Sequence, residues 1–250
     1  MTKKMARLLA TGSAISALSA IALFITPSPV IEKTVQAPTV TAHSAPEPKQ
    51  SFMDVKCDPP VDMGQIPELS PMSWWAPAIN AGASFTPGFT LPVSAATNDG
   101  IIYSHSEEVG AAQGVSLLVG HVDYEPGIIS DSGGELTAWG QLHELSKCDL
   151  IFTADKDGKV IATQLTSLYV APQFDETLEQ KTADEPSNEE LQKQLQKQRE
   201  IQSRVFRSAG PYTITLLTCS GPSVADVGGA FQFRYSNNLI AETNPIDWVY

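Results

Sequence analysis

Short apolar runs, separated by Gly, Pro and Asp-Gly pairs, recur along most of the chain. Runs that mix β-branched with other apolar residues and are bounded by turn residues are typical of β-strands. They lie at 75–79, 84–89, 101–103, 115–119, 149–154, 159–170, 212–218 and 231–235. The pattern predicts a mainly β domain, a barrel or a sandwich with many turns, and argues against a helical bundle.

One segment before the 212–218 run has a different pattern. Ser187 is followed three residues later by Glu190, which is a capping-box signature for the start of a helix. Residues 191–204 are almost all good helix formers, and their apolar positions form only a thin stripe. The sequence predicts a surface helix here, which is either a solvated addition or one wall of a substrate groove.

The N-terminal part of the chain has its own composition. Three basic residues precede an uncharged apolar stretch at 8–25, which is at the lower edge of the length that spans a bilayer. We expect an uncleaved membrane anchor at 1–26, with a cleaved signal peptide as the alternative, and either would place the rest of the chain outside the cytoplasm. The Pro-rich residues 27–62 predict a semi-extended linker, and 63–250 the folded domain.

Composition excludes several classes of function. The net charge of -12 leaves no basic stripe to neutralise phosphates, so a nucleic-acid partner is not expected. Three cysteines do not make a disulfide scaffold in a chain of 250 residues. Because neither a Cys-x-x-Cys pair nor a phosphate-binding glycine loop occurs in the sequence, we expect no metal and no nucleotide cofactor.

Two strands deliver chemically active side chains at their ends. Cys219 follows the 212–218 run and precedes Ser220-Gly221-Pro222, which predicts that the strand stops there. A thiol held by a sheet and open to a loop suits a nucleophile, although a free cysteine is also common in a core. His121 follows the 115–119 run in the same way, after Gly120. The two side chains together indicate a Cys–His site.

Arg234 is the third candidate. It lies between Phe233 and Tyr235 in the last predicted strand, so alternation places it on the face opposite the aromatic rings. An antiparallel return of this strand would set the guanidinium beside the Cys219 thiol. Otherwise Arg234 is a solvated surface residue.

These residues stand in motifs that resemble those of sortases, the cysteine transpeptidases of the Gram-positive cell surface. Thr215-Leu-Leu-Thr-Cys219 resembles the family's TLxTC strand, Gly120-His121-Val-Asp123 its histidine motif, and Phe233-Arg234 with Asn237-Asn238 its arginine strand. The resemblance spans about 72–240 and keeps the family order of His, Cys and Arg. The GHVD form and the single N-terminal anchor most resemble classes E and F of actinobacteria, whereas the helical insertion is similar to class B.

The resemblance implies a closed, mostly antiparallel eight-stranded β-barrel with short helices and one helical insertion before the cysteine strand. It implies that Cys219 attacks a Thr–Gly bond in an LPxTG-like sorting signal, that His121 protonates the departing amine, and that Arg234 stabilises the oxyanion or holds the peptide. Thr218 and Asp123 are expected to bind substrate. The acceptor would be the amine of lipid II or of a pilin lysine, and the enzyme would be a single-pass protein of the Gram-positive membrane with an extracellular domain.

Two other functions fit the same residues. One is a secreted cysteine peptidase that only hydrolyses, and the other is an inactive barrel used for binding. His105 is a second candidate for the base, whereas His43 and His143 lie in the predicted linker and in a predicted surface element and are given no role.

The two remaining cysteines allow two outcomes. In an oxidising compartment Cys57 and Cys148 can form a disulfide that pins the linker to the barrel, which would leave Cys219 as the odd, reactive thiol. The alternative is three free thiols.

Overall fold

The computed structural model of the protein describes residues 43–60, 65–92, 97–226, 231 and 233–246. The anchor predicted at 1–26 and the first part of the predicted linker lie outside these residues. In the described part of the chain, none of the helices combines the length and the apolar character that crossing a bilayer requires.

A closed eight-stranded barrel forms the body of the domain. The described strands are β1 (Ser44–Ala45), β2 (Ser73–Ala76), β3 (Ala81–Gly88), β4 (Gly100–Tyr103), β5 (Val115–Val119), β6 (Leu150–Ala154), β7 (Val160–Pro172), β8 (Thr213–Ala225) and β9 (Phe233–Pro245). Strands β2 to β9 form the barrel and pair in the order β8-β5-β4-β3-β2-β6-β7-β9, and β9 pairs back with β8, whereas β1 is added to the outer edge of β8. The β3–β4 and β5–β8 pairs are parallel and the other barrel pairs antiparallel. The predicted fold class is therefore confirmed.

Alternating side chains of the strands fill the barrel. The largest fully buried ones include Trp74, Phe85, Leu118, Ile151, Leu165, Leu168, Ile214, Leu216 and Leu239. The β6–β7 hairpin follows the prediction, because Gly158 takes the positive φ of 80° that its tight turn needs. Leu118 of β5 and Leu216 of β8 are register partners, and both are fully buried in this core.

The helical insertion lies between β7 and β8, as predicted. It consists of α1 (Leu178–Asp184) and α2 (Glu189–Val205). The predicted cap at Ser187 is wrong by one residue, because the side chain of Asn188 accepts the hydrogen bond from the Leu191 amide. Helix α1 was not predicted, since a seven-residue helix carries little periodic signal. Two short 3₁₀-helices complete the fold, Pro77–Ile79 and Gly140–Glu144.

Residues 43–60, which fall within the range predicted as linker, contact the barrel. Strand β1 pairs with β8, and Phe52 forms a bridge with Leu168 of β7. Cys57 and Cys148 form a disulfide with their Cα atoms 5.5 Å apart, and Cys219 is the free cysteine. The first of the two outcomes for the cysteines is therefore the observed one.

The expected end of the strand at Cys219 is wrong. Strand β8 continues to Ala225, with a shift in its pairing to β9 between Ser220 and Ser223. Gly221 has a positive φ of 77°, and a Cβ there would overlap the Asn237 amide. The glycine therefore allows an irregularity inside the strand, of the kind that re-aims side chains near active sites, where the sequence suggested a turn.

Candidate active site

The parallel pairing of β5 and β8 brings His121 and Cys219 to the same end of the barrel. Val119 is the register partner of Leu217, and the Gly120 amide donates to the Leu217 carbonyl at 3.1 Å. His121 and Cys219 each follow two residues after this pair. Because the two strands run in the same direction, both side chains emerge at one level.

Gly120 and Thr218 fix the strand ends that carry the two candidates. A Cβ at Gly120 would overlap the ring of the buried Trp139, so the backbone passes directly against the indole. The buried Thr218 hydroxyl donates to the Gly120 carbonyl at 2.9 Å, which ties β8 to the residue before His121. The expected substrate-binding role of Thr218 stays a prediction.

A cleft of about 250 Å³ opens at this end of the barrel. It is lined by Thr90, Leu91, His121, Val122, Asp123, Tyr124, Cys219, Asp226, Phe231, Phe233, Arg234 and Tyr235. Four of the five site residues predicted from the sequence line this cleft, whereas the fifth, Thr218, is buried and does not line it. His105 instead packs edge-on against Phe89 at a ring distance of 4.8 Å.

Cys219 and Arg234 are connected through Gln173. The Gln173 Nε2 donates to the Cys219 Sγ at 3.5 Å, and Arg234 Nη1 donates to the Gln173 Oε1 at 3.1 Å. In the β8–β9 register Arg234 lies opposite Val224, whereas Cys219 lies opposite Asn238. Strand β9 therefore does return beside β8, but the Arg234 guanidinium is connected to the Cys219 thiol through the side-chain amide of Gln173 and not directly.

The surroundings of the Cys219 thiol favour its neutral form. Burial, followed by the charge of the nearby Asp123, raises the pKa of Cys219 to about 11, and the hydrogen bond from Gln173 acts in the opposite direction. The side chain is nevertheless partly exposed at the cleft. It is therefore accessible and only weakly ionised at neutral pH.

His121 is held as a neutral imidazole. Its Nε2 lies 3.1 Å from the Pro92 carbonyl, which can only accept, so Nε2 carries the proton and Nδ1 is the acceptor nitrogen. Burial lowers the pKa of His121, and the Pro92 bond partly opposes this. The rings of Tyr124 and Phe231 lie 5.2 and 5.6 Å from the imidazole. Cys219 and His121, which line the same cleft, are thus both predominantly neutral at pH 7.

Asp123 supplies a carboxylate to the cleft wall. Tyr235 donates its hydroxyl to Asp123 Oδ2 at 2.6 Å, and within the described residues the buried Oδ1 has no hydrogen-bond partner. Burial raises the pKa of Asp123, and the bond from Tyr235 partly opposes it. Asp123 thus lines the cleft with one carboxylate oxygen bonded and the other buried, and its expected role in binding substrate stays a prediction.

Sequence reasoning missed three side chains at this site. Gln173 follows Pro172 at the end of a strand, and a lone Gln there carries no signature. Tyr235 was assigned only to an aromatic face. His43 was given no role, yet its ring packs edge-on against Phe233 at 4.6 Å, beside the cleft. His43 had no local signal, because it reaches the cleft only through the pairing of the adjacent β1 with the cysteine strand.

Histidine, cysteine and acidic side chains are the usual ligands of a protein-bound metal ion. In the ranges that the structure covers, three or more His, Cys, Asp or Glu side chains are nowhere grouped as metal ligands would be.

Several solved sortase structures are similar to this chain, at low identity. No family model and no curated protein matches it. Sortase A of Listeria monocytogenes is similar at 12% identity, with 70% of this chain and 86% of that chain covered and a TM-score of 0.41. Sortase A of Corynebacterium diphtheriae is similar at 15% identity, with 70% of this chain and 60% of that chain covered and a TM-score of 0.43. Sortase C of Clostridium perfringens with its C-terminal cell wall sorting motif is similar at 13% identity, with 73% of this chain and 74% of that chain covered and a TM-score of 0.42. The similarity is one of overall fold, at low identity.

Proposed function

We propose that the protein is a sortase-type cysteine transpeptidase, with Cys219, His121 and Arg234 as its catalytic residues. The observation that carries the proposal is the shared cleft at one barrel end, where a partly exposed free thiol, an imidazole and a guanidinium meet. The substrate is the sorting signal of a surface protein, of LPxTG-like sequence, cleaved at its Thr–Gly bond. Among sortases the GHVD motif favours classes E and F.

The first half-reaction forms a thioester. His121 takes the thiol proton at Nδ1, the nitrogen left free by the bond from Nε2 to Pro92. The Cys219 thiolate attacks the threonine carbonyl carbon, a C–S bond forms, and the carbonyl oxygen becomes an oxyanion that Arg234 stabilises. The C–N bond then breaks, and the imidazolium returns its proton to the departing glycine amine.

The second half-reaction transfers the acyl group. An amine of lipid II or of a pilin lysine attacks the thioester carbon and loses a proton to His121. The C–S bond then breaks, and the departing Cys219 thiolate takes that proton back from the imidazolium. The proposed location is the outer face of a Gram-positive membrane, with 1–26 as the anchor and 27–62 as the linker. No cofactor takes part in this reaction.

The test is a peptide library ending in LPxTG- and LAxTG-type motifs, incubated with candidate amines and read by mass spectrometry. We expect peptide–amine conjugates with wild type and none with Cys219→Ala. Cleaved acid that does not convert to conjugate when the amine is raised would instead identify a hydrolase. Absence of both products, together with loss of thiol-probe labelling only at Cys219→Ala and not at His121→Ala, would identify an inactive barrel.

A further inference from the structure

The carboxamide of Gln173 is fixed in one orientation by Arg234. A guanidinium has only donors, so the amide oxygen must face Arg234, at 3.1 Å, and the NH₂ group must face the Cys219 sulfur, at 3.5 Å. The opposite orientation would place two sets of donors against each other. Arg234 therefore determines which end of the amide reaches the thiol.

The sheet fixes the position of Gln173 as firmly as Arg234 fixes its orientation. Pro172 of β7 lies opposite Asn237 of β9, and Cys219 of β8 lies opposite Asn238. Gln173 and Cys219 thus lie on opposite sides of β9, two register positions apart, and the backbone N–H of Gln173 donates to the Ser236 carbonyl at 3.0 Å. A donor held at both its backbone and its side-chain oxygen needs little reorganisation during a reaction.

We propose that Gln173 is a further catalytic residue, whose side-chain N–H donates first to the Cys219 sulfur and then to the carbonyl oxygen that becomes an oxyanion when the sulfur adds to the substrate. The proposal rests on the transpeptidase function proposed above. When the thiolate adds to the substrate carbonyl, the new oxyanion is bonded to the carbon attached to sulfur, so it forms within reach of a donor already at the sulfur. The π electrons of the carbonyl move to this oxygen and return when the C–N bond breaks, so Gln173 transfers no proton.

The same contact changes the balance between thiol and thiolate. A hydrogen bond donated to sulfur favours the ionised form, against the burial and the Asp123 charge that oppose it. The other ionisable residues that line the cleft are His121, Tyr124, Asp226, Arg234 and Tyr235. The Gln173 hydrogen bond thus partly offsets the effect of burial on the Cys219 pKa without adding a charge to the site.

The test uses Gln173→Glu, which preserves size and the contact with Arg234 but turns an acceptor toward the sulfur. Gln192→Glu on the exposed face of α2 is the matched control, because it makes the same change of charge away from the cleft. Alkylation of Cys219 by iodoacetamide is measured from pH 6 to 11, since it reports the thiolate without any peptide substrate. We expect Gln173→Glu to react about tenfold more slowly than wild type at pH 8, and Gln192→Glu to match wild type.

Measuring transpeptidation as well as alkylation distinguishes failure of the Gln173 proposal from failure of the proposed transpeptidase function. With Gln173→Leu, which removes the donor, we expect kcat to fall about 10²-fold while KM changes little, as for loss of one oxyanion donor. Alkylation profiles of Gln173→Glu and wild type that coincide would overturn the contact with sulfur. Normal kcat in Gln173→Leu, with active wild type, would overturn the oxyanion role. An inactive wild type whose alkylation still depends on Gln173 would overturn the transpeptidase and leave the thiol contact standing.

Discussion

Tyr235 donates its hydroxyl to the Asp123 carboxylate at 2.6 Å, and both side chains line the cleft that holds Cys219. The bond satisfies one oxygen of a carboxylate that burial already disfavours. In Tyr235→Phe that oxygen loses its donor, so we expect the free energy of unfolding at pH 7 to fall by about 1–3 kcal/mol in a urea titration. Tyr212→Phe, on an exposed ring, is the control and should stay within about 0.5 kcal/mol of wild type.

The pH dependence of that loss has a defined sign. The pKa of Asp123 is raised in the folded protein, and removal of the Tyr235 donor raises it further. As the pH falls through the raised pKa, the carboxyl becomes neutral in the folded state before it does so in the unfolded chain. The destabilisation in Tyr235→Phe should therefore shrink toward pH 4. A loss that grows on acidification would contradict this account.

Gly120→Ala tests the contact that positions His121. The added Cβ overlaps the Trp139 ring, and overpacking of this kind costs about 1–3 kcal/mol of stability. Since His121 is the next residue, we expect kcat/KM for conjugate formation to fall at least tenfold under conditions where the variant is fully folded. Gly134→Ala, where a Cβ meets no atom within 4 Å, is the control and should retain activity. Equal activity of both variants would show that the indole does not position the imidazole.

The two opposed pKa shifts predict a broad profile of kcat/KM against pH. The pKa of His121 is lowered by burial and that of Cys219 is raised to about 11, so the reactive thiolate–imidazolium pair is a small minority between them. Activity decreases at a pH below the lowered pKa of His121, because the protonated imidazole can no longer take the thiol proton. It decreases again at a pH above the pKa of Cys219, because His121 is then neutral and cannot protonate the departing amine. We expect low kcat and a plateau from about pH 7 to 10. A narrow optimum near pH 7 would contradict the neutral pair.

The sequence was informative where a signal is local and incomplete where contacts are long-range. Strand β5 matches the 115–119 prediction because its side chains are nearly all apolar and turn residues bound it. The Cys219 strand was cut short because Gly221 and Pro222 usually end strands, whereas here β1 pairs with both of them. Which residues an added edge strand contacts is not encoded in the local pattern.

The connection of Arg234 to Cys219 through Gln173 is a second long-range contact that the sequence did not predict. The sequence indicated that β9 returns beside β8, which is a local inference from two strands joined by a loop. Gln173 lies 46 residues before Cys219 along the chain and is brought to it by the pairing of β7 with β9. A single polar residue after a strand has no periodicity, so only the closed barrel reveals it.

The Cys57–Cys148 disulfide predicts a dependence of stability on reductant. It closes a sequence separation of 91 residues and fastens residues 43–60 to the barrel. We expect Cys57→Ser to lower the free energy of unfolding by about 2–4 kcal/mol and to abolish the effect of dithiothreitol on the melting temperature. Thiol counting on the denatured protein should give one free thiol without reductant and three with it. Three thiols in both samples would exclude the bridge.

Arg204 of α2 holds the helical insertion to the barrel through a buried partner. Its guanidinium donates to both oxygens of Glu242, at 2.9 and 2.6 Å, and Glu242 is only 1% exposed. Removing the cation leaves that carboxylate buried with the Tyr169 hydroxyl, at 2.9 Å, and the more distant Arg207, at 3.5 Å, so we expect Arg204→Met to cost about 3–5 kcal/mol in urea unfolding. Arg199→Met, also on α2, breaks an exposed pair with Glu179 of α1 and should cost less than about 1 kcal/mol. Similar losses in the two variants would mean that the buried pair does not anchor the insertion.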